Sequence, residues 1–140
     1  MSTSRASARW EGALKDGRGI MKPAHAAEVA FSVNTRFAGE QGSNPEEMIG
    51  AALAGCFSMA LSAALGKAGF TPQSIQTDAK VQLDKEGEGF SITSITLTTQ
   101  ARVPGVSPAQ FESIAQETKK GCPVSKALTG TQISLQASLS

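Results

Sequence analysis

Tyrosine is missing from this chain of 140 residues, and its aromatics are one tryptophan and six phenylalanines. A platform for stacking nucleobases needs several exposed rings, so single-strand nucleic-acid binding is not expected. There is also no run of five Lys or Arg. Thirteen basic residues are scattered among twelve acidic ones, for a net charge of +1. Neither a phosphate backbone nor an anionic membrane surface finds a footprint to meet, so no nucleic-acid or membrane partner is expected. One histidine, His25, and two cysteines, Cys56 and Cys122, are all the chain offers in soft ligands. The cysteines stand 66 residues apart with no CxxC, so no metal and no thioredoxin-like motif is expected. Met1–Arg9 is small and polar with no apolar stretch, so no secretory signal is expected either. The expectation is a cytoplasmic protein in a reducing compartment, where two cysteines are free or redox-active rather than a permanent staple.

What is present reads as one globular domain spanning residues 1–140, with 40% apolar and 18% charged residues. The longest apolar run, Met48–Leu65, approaches membrane-spanning length. It is rich in Ala, Gly and Ser and is preceded by two carboxylates, which points to a core helix buried on most faces. Asn44-Pro45-Glu46-Glu47 predicts its start: Asn44 as the cap, Pro45 at the first helical position, Glu47 where a capping box needs it. No breaker follows until Gly66–Gly69.

Before this helix, alternation predicts three strands. The first is near Ala6, Ala8 and Trp10; the second near Gly19–Lys22 follows a turn at Lys15–Gly19 that uses Asp16-Gly17 for positive φ; the third carries Val29, Phe31 and Val33. Phe37–Ser43 reads as a loop. After the helix, Ile75, Thr77, Ala79, Val81 and Leu83 share one strand face, and Asp84–Gly89 reads as a turn. Phe90–Val103 is a strand whose apolar phase slips between Ile92 and Ile95, which predicts a bulge. Ser107-Pro108 opens a helix that Gly121 ends; Cys122-Pro123 opens a short one to Leu128; Ile133, Leu135, Ala137 and Leu139 alternate in a last strand. The order βββ-α-ββ-αα-β predicts an α+β fold, mainly antiparallel sheet packed around a long central helix.

Four residues attract chemical interest. Cys56 sits mid-helix in apolar surroundings, which disfavour a thiolate; it is either an inert core thiol or a reactive one that needs a cation beside it. Cys122 stands at a helix start and is by position the better-activated thiol, or else a plain helix-boundary residue. Arg36, at the end of an apolar strand, either points inward or is a solvated charge. Glu46 opens the long helix, where a carboxylate suits the dipole. His25 lies in a loop with no nucleophile to serve.

These residues resemble the OsmC/Ohr family of peroxide-detoxifying proteins. The segments that carry the likeness are Asn34-Thr35-Arg36-Phe37, Gly42 through Ala52, Ala54-Gly55-Cys56-Phe57-Ser58-Met59-Ala60-Leu61, Ala68-Gly69-Phe70-Thr71-Pro72 and Gly121-Cys122-Pro123-Val124-Ser125, and they look closer to the OsmC branch. The resemblance implies a thiol peroxidase that reduces organic hydroperoxides. Cys56 matches the peroxidatic cysteine, Cys122 the resolving one, Arg36 the arginine that holds the thiolate and Glu46 the carboxylate that orients that arginine. It implies no bound cofactor, an external dithiol (lipoyl in the Ohr branch) as reductant, and a homodimer. Met48, Phe57 and Met59 are expected to favour an apolar peroxide. A non-catalytic stress protein that binds a small ligand, and a redox sensor using the same two cysteines, are the competing readings.

Helix geometry bears on assembly. Glu46 and Cys56 are ten residues apart, which is about 15 Å of rise and about 80° of rotation, so one straight helix cannot bring both to one small site. A kink is one remedy; the other is two copies crossing antiparallel near residue 51, where Gly50-Ala51-Ala52-Leu53-Ala54-Gly55 is small enough for close approach, unless these residues only accommodate a covering sheet within one chain. The expectation is a two-fold dimer with its active sites at the interface.

Overall fold

The computed structural model describes residues 1–140, which divide into two compact units, Met1–Met48 and Ile49–Ser140. In the first, β1 (Ala6–Glu11), β2 (Arg18–Pro23) and β3 (Val29–Phe31) form an antiparallel sheet in that order. The turn between β1 and β2 is longer than Asp16-Gly17 alone predicts. Positive φ falls on Gly12 (+94°), while Gly17 serves a close approach: a Cβ there would lie 2.4 Å from the Ala13 carbonyl oxygen. Gly19 is similarly constrained beneath the rings of Trp10 and Phe31, whose centroids are 5.6 Å apart.

The third strand is shorter than its alternation predicts. It stops at Phe31 because Ser32 caps a helix, α1 (Val33–Phe37), through a reciprocal box. The Ser32 hydroxyl accepts the Thr35 N–H at 3.1 Å, and the Thr35 hydroxyl accepts the Ser32 N–H at 2.8 Å. Val33 therefore begins a helix, and Arg36 lies in its last turn rather than at a strand end. The long helix α2 (Pro45–Lys67) starts where predicted, with Asn44 Oδ1 accepting the Glu47 N–H at 2.8 Å. The Glu47 carboxylate does not close the box; it takes the Ser43 hydroxyl at 2.7 Å instead.

The second unit places α2 against a sheet of β4 (Ser74–Glu86), β5 (Gly89–Arg102) and β6 (Gln132–Leu139). Strands β4 and β5 run antiparallel almost to their shared turn, so the predicted Asp84–Gly89 turn contracts to Gly87-Glu88, with Gly87 at φ +61°. The predicted bulge is present: Gln82 pairs with Ser94 and Leu83 with Ile92, leaving Thr93 out of register, its hydroxyl on Asp84. The pair β5–β6 is parallel, so this sheet is mixed. A parallel pair needs a long crossover. It is made by α3 (Pro108–Gly121), capped by Ser107, and α4 (Pro123–Ala127).

The core of this unit is a stripe of α2, Leu53, Phe57, Leu61 and Leu65, spaced four residues apart and fully buried against Ile95, Leu97 and Ala101 of β5 and Phe111 of α3. Burying each of these large side chains stabilises the unit by about 2 kcal/mol. Gly50 lets the helix lie close to β4, since a Cβ there would sit 3.1 Å from Val81. A partly buried hydroxyl chain, Ser58 to Thr77 at 2.8 Å and Thr77 to Thr99 at 2.9 Å, fixes the helix against the sheet.

The helix is long and apolar enough to cross a membrane by length and composition alone, but it is not buried on most faces as its composition suggests. Ala51, Ala52, Gly55, Met59, Ser62, Ala63 and Gly66 form a second stripe that is exposed in this chain, with Met59 at 74%.

Candidate active site

Cys56 lies on the flank of α2 between the buried and exposed stripes, and is half-buried. Cys122 is brought to it by a local break. Pro123 has no N–H to continue a helix and holds the preceding residue out of the helical region. Cys122 accordingly has φ −59° and ψ 128°, ending α3 with its N–H on the Thr118 carbonyl at 3.0 Å and opening α4. The side chain is turned inward and fully buried. The two sulfurs are 2.7 Å apart and both are free thiols. A disulfide bond is about 2.05 Å long, so little movement separates this contact from a covalent one.

The environment treats the sulfurs differently. Burial pushes the Cys56 thiol up, and the proton it shares with Cys122 adds to this. Burial also opposes a Cys122 thiolate, but it is outweighed by hydrogen bonds from Cys56 and from the Ser125 and Val124 N–H groups, so the Cys122 thiol is lowered. With both protonated, the Cys122 S–H points at Cys56. Within this unit the directions favour charge on Cys122 over charge on Cys56. The position of Cys122 in the sequence foretold this preference, although α4 has only five residues and individual N–H groups rather than a long helix dipole supply it. No cationic group is among these neighbours of Cys56 in the Ile49–Ser140 unit.

The other two candidates pair within Met1–Met48. Glu46, 7% exposed, accepts from Arg36 Nε at 2.9 and 3.1 Å through its two oxygens, and also from Nη2. The Nη1 amino group is not committed to this carboxylate. The guanidinium lies 5.3 Å from the centre of the Phe37 ring and its side chain is 36% exposed. Such a fork, gripped by a carboxylate, presents a fixed positive charge rather than a wandering one. The four residues thus fall as two pairs, one in each unit.

Of the apolar neighbours named from the sequence, Phe57 is fully buried in the core and cannot face a substrate; Met48 is half-buried and Met59 lies on the exposed stripe of α2. His25 is exposed in the turn after β2. Sequence reasoning passed over Ser125, which is 8% exposed with no hydrogen-bond partner for its hydroxyl. Its spacing, three residues after a helix cap, was the signal that could have found it.

The class that this fold and contact define is a small α+β protein carrying an intrachain dithiol. The family model for OsmC-like proteins matches residues 38–137. The match begins two residues beyond Arg36. Over 126 residues the chain is 51% identical to peroxiredoxin OsmC of Escherichia coli, covering 89% of this chain and 88% of that protein. It is also 29% identical over 94 residues to the organic hydroperoxide resistance protein of Xanthomonas axonopodis, covering 66% and 64% of the two chains. The solved structure of an OsmC-like protein from Vibrio cholerae shares the fold at a TM-score of 0.78 with 18% identity, covering 98% of this chain and 99% of that one. The chain belongs to the OsmC-like family.

Proposed function

We propose that this protein is a thiol-dependent peroxidase that reduces organic hydroperoxides to alcohols. The observation that carries the reading is the 2.7 Å approach of Cys56 to Cys122 across 66 residues of sequence. The relatives' names, peroxiredoxin and organic hydroperoxide resistance protein, supply the substrate class.

In this reading the Cys56 thiolate attacks the distal peroxide oxygen. The O–O bond breaks, Cys56 becomes a sulfenic acid, and the alkoxide leaves and takes up a proton as the alcohol. Cys122 then attacks the sulfenic sulfur, forming the disulfide and releasing water. An external dithiol in the cytoplasm, of which lipoyl is the form that the family likeness suggests, returns both thiols by exchange. Cys56 is the half-buried sulfur, which supports its role as the one a peroxide meets; the full burial of Cys122 supports a resolving role.

The missing cation is Arg36, held by Glu46, and a two-fold dimer delivers it. Along one helix Glu46 and Cys56 are about 15 Å apart. Antiparallel crossing of two α2 helices sets one chain's Glu46 beside its partner's Cys56. The apolar stripe from Ala51 to Gly66, exposed in the single chain and built of small residues, supports that packing.

The test is a thiol count. One equivalent of cumene hydroperoxide added to the reduced protein should remove both free thiols and yield a Cys56–Cys122 bond by peptide mapping, and a dithiol should restore turnover. Loss of no thiols would leave a binding protein; a disulfide that forms once but supports no turnover would leave a sensor.

A further inference from the structure

The only buried side-chain polar atom without a hydrogen-bond partner is Ser125 Oγ. Buried hydroxyls in native proteins are almost always paired, so an orphan calls for a partner that is absent in the resting state. Ser125 lies three residues after Cys122, which opens α4, and a helix folds that position back toward its cap. The Cys122 sulfur has no solvent contact, and its titratable neighbour is Cys56 of α2. Its other neighbours are the Thr118 carbonyl of α3, to which its N–H donates, and Val124 and Ser125 of α4. A neutral thiol is a poor acceptor, which accounts for an idle hydroxyl; a thiolate is a strong one.

We propose that Ser125 is a positioning residue whose hydroxyl donates to the Cys122 sulfur when that sulfur bears charge, making Cys122 the leaving group when the disulfide is reopened. The consequence rests on the peroxidase reading above. An external thiolate attacks Cys56, the sulfur that is half-exposed. The Cys56–Cys122 bond breaks, a new bond joins Cys56 to the external sulfur, and the electron pair leaves on Cys122. The second thiol of the dithiol then attacks its own mixed-disulfide sulfur, frees Cys56 and is itself oxidised. Lower thiol pKa makes a better leaving group, so the serine sets the direction of opening as well as its rate.

Two measurements decide this. The first is ultraviolet titration of the Cys122 thiolate in a Cys56→Ser background, with Ser125 intact against Ser125→Ala and Ser125→Thr. The alanine variant should raise the Cys122 ionisation midpoint by about one pH unit, a roughly tenfold smaller thiolate fraction below the midpoint, and threonine should restore it. An alanine midpoint equal to that with Ser125 intact overturns the proposal. This arm needs no peroxide, so it stands apart from the peroxidase reading. The second uses wild-type disulfide, made with a hydroperoxide or a general oxidant, and a limiting monothiol. Peptide mapping should find the adduct on Cys56; an adduct on Cys122 overturns the proposed direction. If only the general oxidant forms the disulfide, the peroxidase reading fails while the direction of opening is still read.

Discussion

The Arg36–Glu46 pair should lose stability unevenly when either half is removed, and the unevenness follows from burial. Glu46 is 7% exposed, whereas the Arg36 side chain is 36% exposed. Arg36→Met strands a desolvated carboxylate whose cation is gone, and losing one partner of a buried pair costs about 3–5 kcal/mol. Glu46→Gln leaves a guanidinium that water already reaches in part, and a neutral amide can still accept from it. That loss should be about 1–2 kcal/mol, since solvent screens the remaining charge. Trp10 is the chain's single tryptophan and sits in the same unit, so its fluorescence during urea unfolding reports on the right part of the molecule. The double variant should lose less than the sum of the two, because the groups are directly bonded. Equal losses, or a larger one for Glu46→Gln, would refute the argument from burial.

Three further outcomes are expected. With Cys122→Ser, Cys56 should stop at sulfenic acid and climb to sulfinic acid under excess hydroperoxide, visible by peptide mass spectrometry; undiminished turnover with dithiol would remove Cys122 from the cycle. Burial holds the Cys56 thiol above its ordinary value, and the thiolate is the attacking form, so a raised pKa moves the rise of the peroxide rate to higher pH. A guanidinium acts in the opposite sense; Arg36→Met should therefore shift the pH–rate profile upward by about one unit or more, and superimposable profiles would show that Arg36 is not the cation. Gly55 has open space within the chain, so Gly55→Leu should favour the helix by nearly ~1 kcal/mol while weakening dimerisation about tenfold or more by sedimentation equilibrium. Unchanged association would place the interface elsewhere.

Much of this architecture was legible in the residues. The Asn44 cap, the Ser107 and Pro123 helix starts and the bulge opposite Leu83 each follow from local chemistry, and each is present. The failures have physical causes. Ser32 and Thr35 form a box that outcompetes β alternation, and Val33 reads as a strand residue only if the box is overlooked. Positive φ at Gly12 rather than Gly17 depends on how far the β1–β2 ladder extends, which alternation alone does not fix. The Gly50–Gly55 part of the exposed stripe on α2 was legible as a small-residue face, but its continuation to Gly66 was not, because Ala and Gly are apolar enough to read as core wherever they lie. The dithiol contact spans 66 residues, so no local pattern can reveal it; it came from likeness to a family. The orphan hydroxyl of Ser125 becomes visible only when every buried polar atom is checked for a partner.

The parallel pairing of β5 with β6 is what gives the second sulfur its route back to the first. Between Arg102 and Gln132 the chain must climb over the sheet and return, and Cys122 rides at the bend of that climb. Phe111 and Ala115 of α3 hold the climb in the core shared with α2, and the last strand anchors its far end beside β5. A sheet closed by an antiparallel hairpin could do without such a climb, and would have no bend on which to carry the second sulfur.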